Sequence, residues 1–176
     1  RSAGHLILNQ SRRREREAMI YGLEVSMELE GISRVHLDRS RWHFSGRCMN
    51  CSTAISDILM EFEEMIGVPG GRGEAHAVIK CKMCERVNNV KIVSGCDTVH
   101  YSAEQSGNYT LIGSFECRGI ALMEWIPDSS SISANGSAES SFYQDIDLTD
   151  DFYDYDEAAQ TPVQITDFRQ RIVENK

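Results

Sequence analysis

Two Cys-x-x-Cys units, Cys48-Met49-Asn50-Cys51 and Cys81-Lys82-Met83-Cys84, are separated by 29 residues and constrain this chain more than any other feature. Two thiols three positions apart on a tight turn grip one tetrahedral ion, and two such turns supply four ligands and leave no open position. The pattern predicts a structural zinc site, one Zn2+ per chain, with Cys48, Cys51, Cys81 and Cys84 as ligands. The gap exceeds the roughly 15–20 residues of the commonest zinc ribbons, so it has room for a strand, a loop and a returning strand. The loop is Val68-Pro69-Gly70-Gly71-Arg72-Gly73, where proline fixes φ and the glycines permit positive φ.

The alternative for paired cysteines is dithiol redox chemistry. That chemistry uses one Cys-x-x-Cys at a helix N-terminus within a βαβ pattern, which this sequence lacks. Six cysteines could also form three disulfides, yet four of them fall in the paired units and no apolar leader with a small-residue cleavage site opens the sequence. A reducing compartment follows: the cytoplasm, with the nucleus as second choice. Cys96 and Cys117 read as buried small hydrophobes, because nothing places a base beside either. His36, His43, His76 and His100 show no metal-ligand spacing. A net charge of -9 argues against nucleic acid, and no apolar run long enough to span a membrane occurs.

Along the chain, residues 1–18 are polar and charge-dense, and read as a disordered extension or an expression remnant; 19–176 read as one β domain. Leu23, Val25, Met27 and Leu29 alternate with Glu24, Ser26, Glu28 and Glu30, the period of a half-buried strand. Arg41 to Phe44, Ala75 to Cys81, Val87 to Val93, Tyr109 to Cys117 and Ile120 to Ile126 give further strands. Pro162 to Ile165 and Phe168 to Val173 give a final pair. Residues 57–66 are ambiguous: Ile55, Ile58, Leu59, Phe62, Met65 and Ile66 recur at helical spacing, and periodicity alone favours an amphipathic helix. The serine-rich segment 128–141 reads as a flexible surface loop. About ten strands and at most one helix result.

The runs Gly70-Gly71-Arg72-Gly73-Glu74-Ala75, Lys80-Cys81-Lys82-Met83-Cys84, Phe115-Glu116-Cys117-Arg118-Gly119 and Tyr153-Asp154-Tyr155-Asp156-Glu157, in this order, closely resemble the eukaryotic CXXC-motif-containing zinc-binding proteins, a family of uncharacterised function. The resemblance covers about residues 19–174. It implies an all-β fold: two similar antiparallel β halves forming a barrel-like or sandwich domain, clipped by one zinc on both Cys-x-x-Cys pairs. It also implies strand at 57–66, and we adopt strand there.

Two function classes fit. The first is a non-catalytic, zinc-stabilised module that binds an unidentified protein partner, as a monomer, with no membrane or nucleic-acid role. The second is a metal-handling or thiol-redox protein, reminiscent by fold analogy of methionine sulfoxide reductases. For the first, the candidate surface is the acidic-aromatic stretch, with Asp151, Asp154, Tyr155 and Asp156 in contact with a basic partner. Residues 145–157 hold seven acids and no base, and the aromatics are expected to pack on the barrel while the carboxylates stay wet. Arg72 is a secondary candidate, as charge partner to an anion cradled by the glycine-rich turn, against the plainer reading of a structural turn whose arginine caps carbonyls or pairs with an acid.

Overall fold

The computed structural model describes residues 18–38, 40–93, 100–138 and 140–175. The N-terminal extension before Ala18 and Cys96 therefore lie outside the described residues. Among the described residues, fifteen strands and two single-turn 3-10 helices, Ala103–Gln105 and Ser129–Ser131, make up the regular structure. All pairings are antiparallel and the sheets curl into a half-barrel, so the all-β expectation holds. Among the described residues no helix is long and apolar enough to cross a membrane.

The largest sheet has six strands. At its centre are β1 (Met19–Glu30) and β10 (Thr110–Arg118); on one side lie β15 (Thr161–Asn175) and the outer strand β14 (Phe152–Asp156), on the other β8 (Val87–Ile92) and the outer strand β7 (Ala77–Lys80). The alternation at 23–29 puts Leu23, Val25 and Met27 inside, each fully buried. A three-stranded sheet, β11 (Ile120–Trp125), β3 (Arg41–Cys48) and β4 (Ala54–Glu61), faces it. Aromatic side chains from both sheets fill the space between: Phe44 meets Phe115 at 4.8 Å between ring centroids, and Trp42 meets Phe115 at 5.3 Å. Truncating such a buried phenylalanine to alanine costs roughly 3–5 kcal/mol, so this contact is a principal adhesive between the sheets.

A four-stranded sheet closes one end, with β13 (Phe142–Tyr143), β12 (Ile132–Gly136), β2 (Ile32–Leu37) and β9 (His100–Ser102) in that order. The remaining pair, β5 (Ile66–Gly67) and β6 (Glu74–Ala75), flanks the glycine-rich turn. Tyr101 of β9 anchors the four-stranded sheet: its buried hydroxyl accepts from Met27 N–H at 3.2 Å and lies 3.0 Å from the carbonyls of both Met27 and Asn108.

Three readings of the sequence change here. Residues 128–141 are not a flexible loop: they contain a 3-10 turn and β12, whose Ile132 and Ala134 are buried while the intervening serine and asparagine point outward. The two C-terminal strands are one, β15, which passes a bulge at Asp167, where φ is 53° and two residues oppose Met27 of β1. The ambiguous segment is strand, as the family resemblance implied, but over 54–61; residues 62–65 turn away before β5.

A single residue, Gly119, joins β10 in the six-stranded sheet to β11 in the three-stranded one. Its φ is +75°, and a Cβ there would stand 2.5 Å from Asn88 Oδ1. Left-handed backbone costs a non-glycine residue about 1–3 kcal/mol, and the buried Asn88 has little room to yield. Gly119→Ala is therefore expected to lower stability by at least about 1–3 kcal/mol, read as a lower urea midpoint with an unchanged m-value; an unshifted midpoint contradicts the crossover geometry.

Candidate metal centre

Each Cys-x-x-Cys occupies the turn of a hairpin. Cys48 ends β3 and Cys51 precedes β4; Cys81 follows β7 and Cys84 precedes β8. The backbone plan is the same twice. Cys48 N–H donates to the Thr53 carbonyl at 2.9 Å and Ser52 N–H to the Cys48 carbonyl at 2.8 Å; Cys81 N–H donates to the Arg86 carbonyl at 2.8 Å and Glu85 N–H to the Cys81 carbonyl at 2.9 Å. The fifth residue of each turn is left-handed, Ser52 at φ 61° and Glu85 at φ 57°. Turned back this way, the chain points both thiols of a pair to the same side, and the two hairpins present them to one point.

The sulfurs fit a metal. Cys48 Sγ lies 3.6 Å from Cys84 Sγ and Cys51 Sγ lies 3.5 Å from Cys81 Sγ, and all four lie within 4.8 Å of one another. Zinc–thiolate bonds of about 2.3 Å in a tetrahedron require sulfurs about 3.8 Å apart. The structure thus brings together all four predicted ligands, two from each facing sheet. It is the only such cluster of metal-ligand side chains among the described residues.

Burial divides the ligands. The first cysteine of each pair is buried, Cys84 is partly covered and Cys51 is exposed. Burial pushes the Cys48 thiol up to about 11. The Cys51 thiol is drawn down to about 6, first by the Thr53 hydroxyl 3.1 Å away and then by the Thr53 backbone N–H. The Cys84 thiol is also lowered, chiefly by the backbone of Arg86. A bound divalent ion deprotonates coordinating thiols outright. The residues that hold the turns in place escaped the sequence reading: Thr53 beside Cys51, and Gly119, whose carbonyl accepts from Met49 N–H at 2.9 Å and ties the first turn to the sheet crossover. For Gly119 the sequence offered a tight turn or bulge between two strand-like runs and a place in the Phe115–Gly119 run, but no link to the cysteine turns.

The other candidates lie elsewhere. Cys117 is fully buried in β10, and desolvation pushes its thiol far above the ordinary range, which removes it as a nucleophile. Arg72 is exposed at the β5–β6 turn, where the Val68 and Gly71 N–H groups are already spent on Gly73 and Val68 carbonyls. Asp151, Asp154 and Tyr155 are exposed in or beside β14. Asp156 is not: it is 2% exposed, and its Oδ1 accepts from Ala158 and Ala159 N–H at 2.9 Å each. That carboxylate caps a turn, which corrects its reading as a wet contact residue.

Comparison with known proteins agrees with this centre. The model of the eukaryotic family "CXXC motif containing zinc binding protein" matches residues 22–173, and the chain belongs to that family. It is 34% identical to the human protein of that name over 86% of this chain and 96% of that one. It is 35% identical to a UPF0587 protein of Nematostella vectensis over 81% and 90% of the two chains. The crystal structure of C1orf123 superimposes with a TM-score of 0.77 at 31% identity, covering 89% of this chain and 99% of that one. A hypothetical protein from Plasmodium falciparum shares the fold, with a TM-score of 0.75 at 22% identity over 88% and 99%.

The burial pattern sets the order in which thiols react. In metal-free protein at pH 7, a brief pulse of iodoacetamide should modify Cys51 first, since its thiolate persists above about 6, and leave Cys117 intact until denaturant is added. Peptide mass spectrometry reads the order. Early labelling of Cys117 would contradict the burial described here.

Proposed function

We propose that the protein is a non-catalytic scaffold, monomeric and cytoplasmic, in which one structural zinc per chain stabilises a β surface that binds another protein. Support for the structural role comes from the ligand set: four thiolates saturate a tetrahedral ion, whereas catalytic zinc keeps a position open for water or substrate. Support for the binding role comes from β14, an outer strand on which Tyr153 and Tyr155 are 63% and 48% exposed beside the solvent-facing Asp151 and Asp154. Tyrosines bring contact area at low entropic cost, and the carboxylates steer a basic partner.

Metal handling is the second reading, and one observation favours it. Cys51 is exposed, so an incoming ligand has a route to the ion through that thiolate. The thiol-redox reading finds less support, because Cys117 is buried and its thiol raised. A chelator chase separates the first two: a structural site releases zinc slowly at a rate tied to opening of the fold, and a transfer site releases it in proportion to the competing chelator.

Two measurements test the proposal. Elemental analysis should give one zinc per chain, and Cys81→Ser should lose it; undiminished zinc in that variant sinks the assignment. Asp151→Asn combined with Asp154→Asn should leave the melting temperature nearly unaltered, because exposed charges contribute little to stability, yet slow association with a lysine- and arginine-rich probe peptide several-fold at low salt and flatten its salt dependence. Unaltered association places the interface elsewhere. Asp156→Asn belongs to a different class: it should lower the melting temperature, because a capping carboxylate is lost. The Asp156 carboxyl is held below its ordinary value, first by the Ala159 N–H. Its contribution is therefore present above the unfolded value near 4 and fades as pH falls through the folded one, so wild type and Asp156→Asn should converge in stability in acid.

A further inference from the structure

β14 is an outer strand of the six-stranded sheet: β15 lies on one side, and no strand among the described residues pairs with the other. The ladder with β15 fixes which backbone groups face that open side. Tyr155 stands opposite Pro162, whose carbonyl is turned away from β14, toward Gly31 at the end of β1. Tyr155 therefore directs its N–H and C=O outward, and Tyr153, two residues back along an unbroken register, does the same. The Tyr155 N–H donates to the Asp154 carboxylate at 2.7 Å, not to β15. Tyr153, Asp154 and Tyr155 are exposed in succession, so both faces of the strand are open along this edge.

Outward backbone donors and acceptors are a template for an added strand. Charge selects which strand. Residues 145–157 hold seven acids and no base, and no ion pair among the described residues involves any of the seven. Along β14 the carboxylates accept from neutral donors, the Tyr153 hydroxyl to Asp151 and the Tyr155 N–H to Asp154. That charge also opposes pairing of β14 with a second copy of itself, because acid would face acid. We propose that β14 takes up an extended, arginine-rich segment of a partner protein as a seventh, antiparallel strand. Residues opposite one another on antiparallel strands share a face, so arginines opposite Tyr153 and Tyr155 stack on the tyrosine rings, near the Asp151 carboxylate that Tyr153 holds, and the intervening side chains pass Asp154 on the other face. This rests on the β14 reading given above and specifies its mode: the partner is held by its backbone as well as by its charge.

The probe is a fluorescent eight-residue peptide of alternating arginine and threonine, titrated into zinc-loaded full-length protein and read by anisotropy. Saturable binding is expected, with shifts of the Tyr153 and Tyr155 amide resonances. N-methylation of the arginines removes the donors that face β14 and should weaken binding by roughly tenfold or more. N-methylation of the threonines, whose N–H groups face solvent in the added strand, should leave binding within about twofold. A peptide of alternating glutamate and threonine should not bind. Equal effects of the two methylations overturn strand addition while leaving the charge-steered β14 surface standing. Unweakened binding to protein carrying Asp151→Asn and Asp154→Asn overturns both. Failure to saturate at millimolar peptide overturns the proposal, as does self-association of the protein through the Tyr153 and Tyr155 amides, which gives the edge to a second copy of the chain.

Discussion

Four sulfurs within reach of one tetrahedral ion are the constraint on which the junction between the two facing sheets depends. Cys48 and Cys51 belong to the β3–β4 hairpin, and Cys81 and Cys84 to β7–β8. Neither hairpin can hold a metal alone. Structural zinc contributes on the order of 10 kcal/mol or more in small peptides that are unfolded without it, but this chain also buries an aromatic cluster between the same sheets at the level of Trp42, Phe44, Phe115 and Trp125. The two adhesives act at different heights. The aromatics hold the middle of the sandwich, and an ion on the four sulfurs would hold the end at which both hairpins turn, so losing it should open one end rather than dissolve the whole.

The backbone near that end is arranged around close approach. Gly119 lets β10 become β11 in one step and offers its carbonyl to Met49, while Ser52 and Glu85 accept left-handed conformations so that each pair of thiols faces inward. Strain of this kind persists where surrounding structure over-determines it. The duplicated turn geometry explains why two hairpins of unrelated sequence present the same ligand arrangement.

Much of this was legible in the sequence, and the exceptions have physical causes. The ligands followed from spacing, and β1 from its alternation, because both patterns are set by local geometry. Residues 55–66 imitated a helix because the bulge at Ser56 and Asp57 spaces the inward-facing Ile55 and Ile58 three apart, while Leu59, Phe62, Met65 and Ile66 are in fact exposed. The strand Ile132–Gly136 was hidden by Ser133 and Asn135 on its outer face and by the serine-rich segment around it; only Ile132 and Ala134 signal it. Asp156 was lost among neighbouring acids because nothing in a charge run marks the one carboxylate that meets the backbone amides of Ala158 and Ala159. Single-residue burial inside a biased segment is a tertiary property, and composition carries no trace of it.

The account makes the metal a local clip on an otherwise self-supporting core. Hydrogen exchange of backbone amides, compared between zinc-loaded and metal-free protein, measures that directly. Protection should fall in the two turns and their flanking strand ends, around Gly46 to Ile55 and Ile79 to Asn88, and persist through the paired centre of β1 and β15. Uniform loss of protection along the chain, or no loss at the two turns, would contradict it.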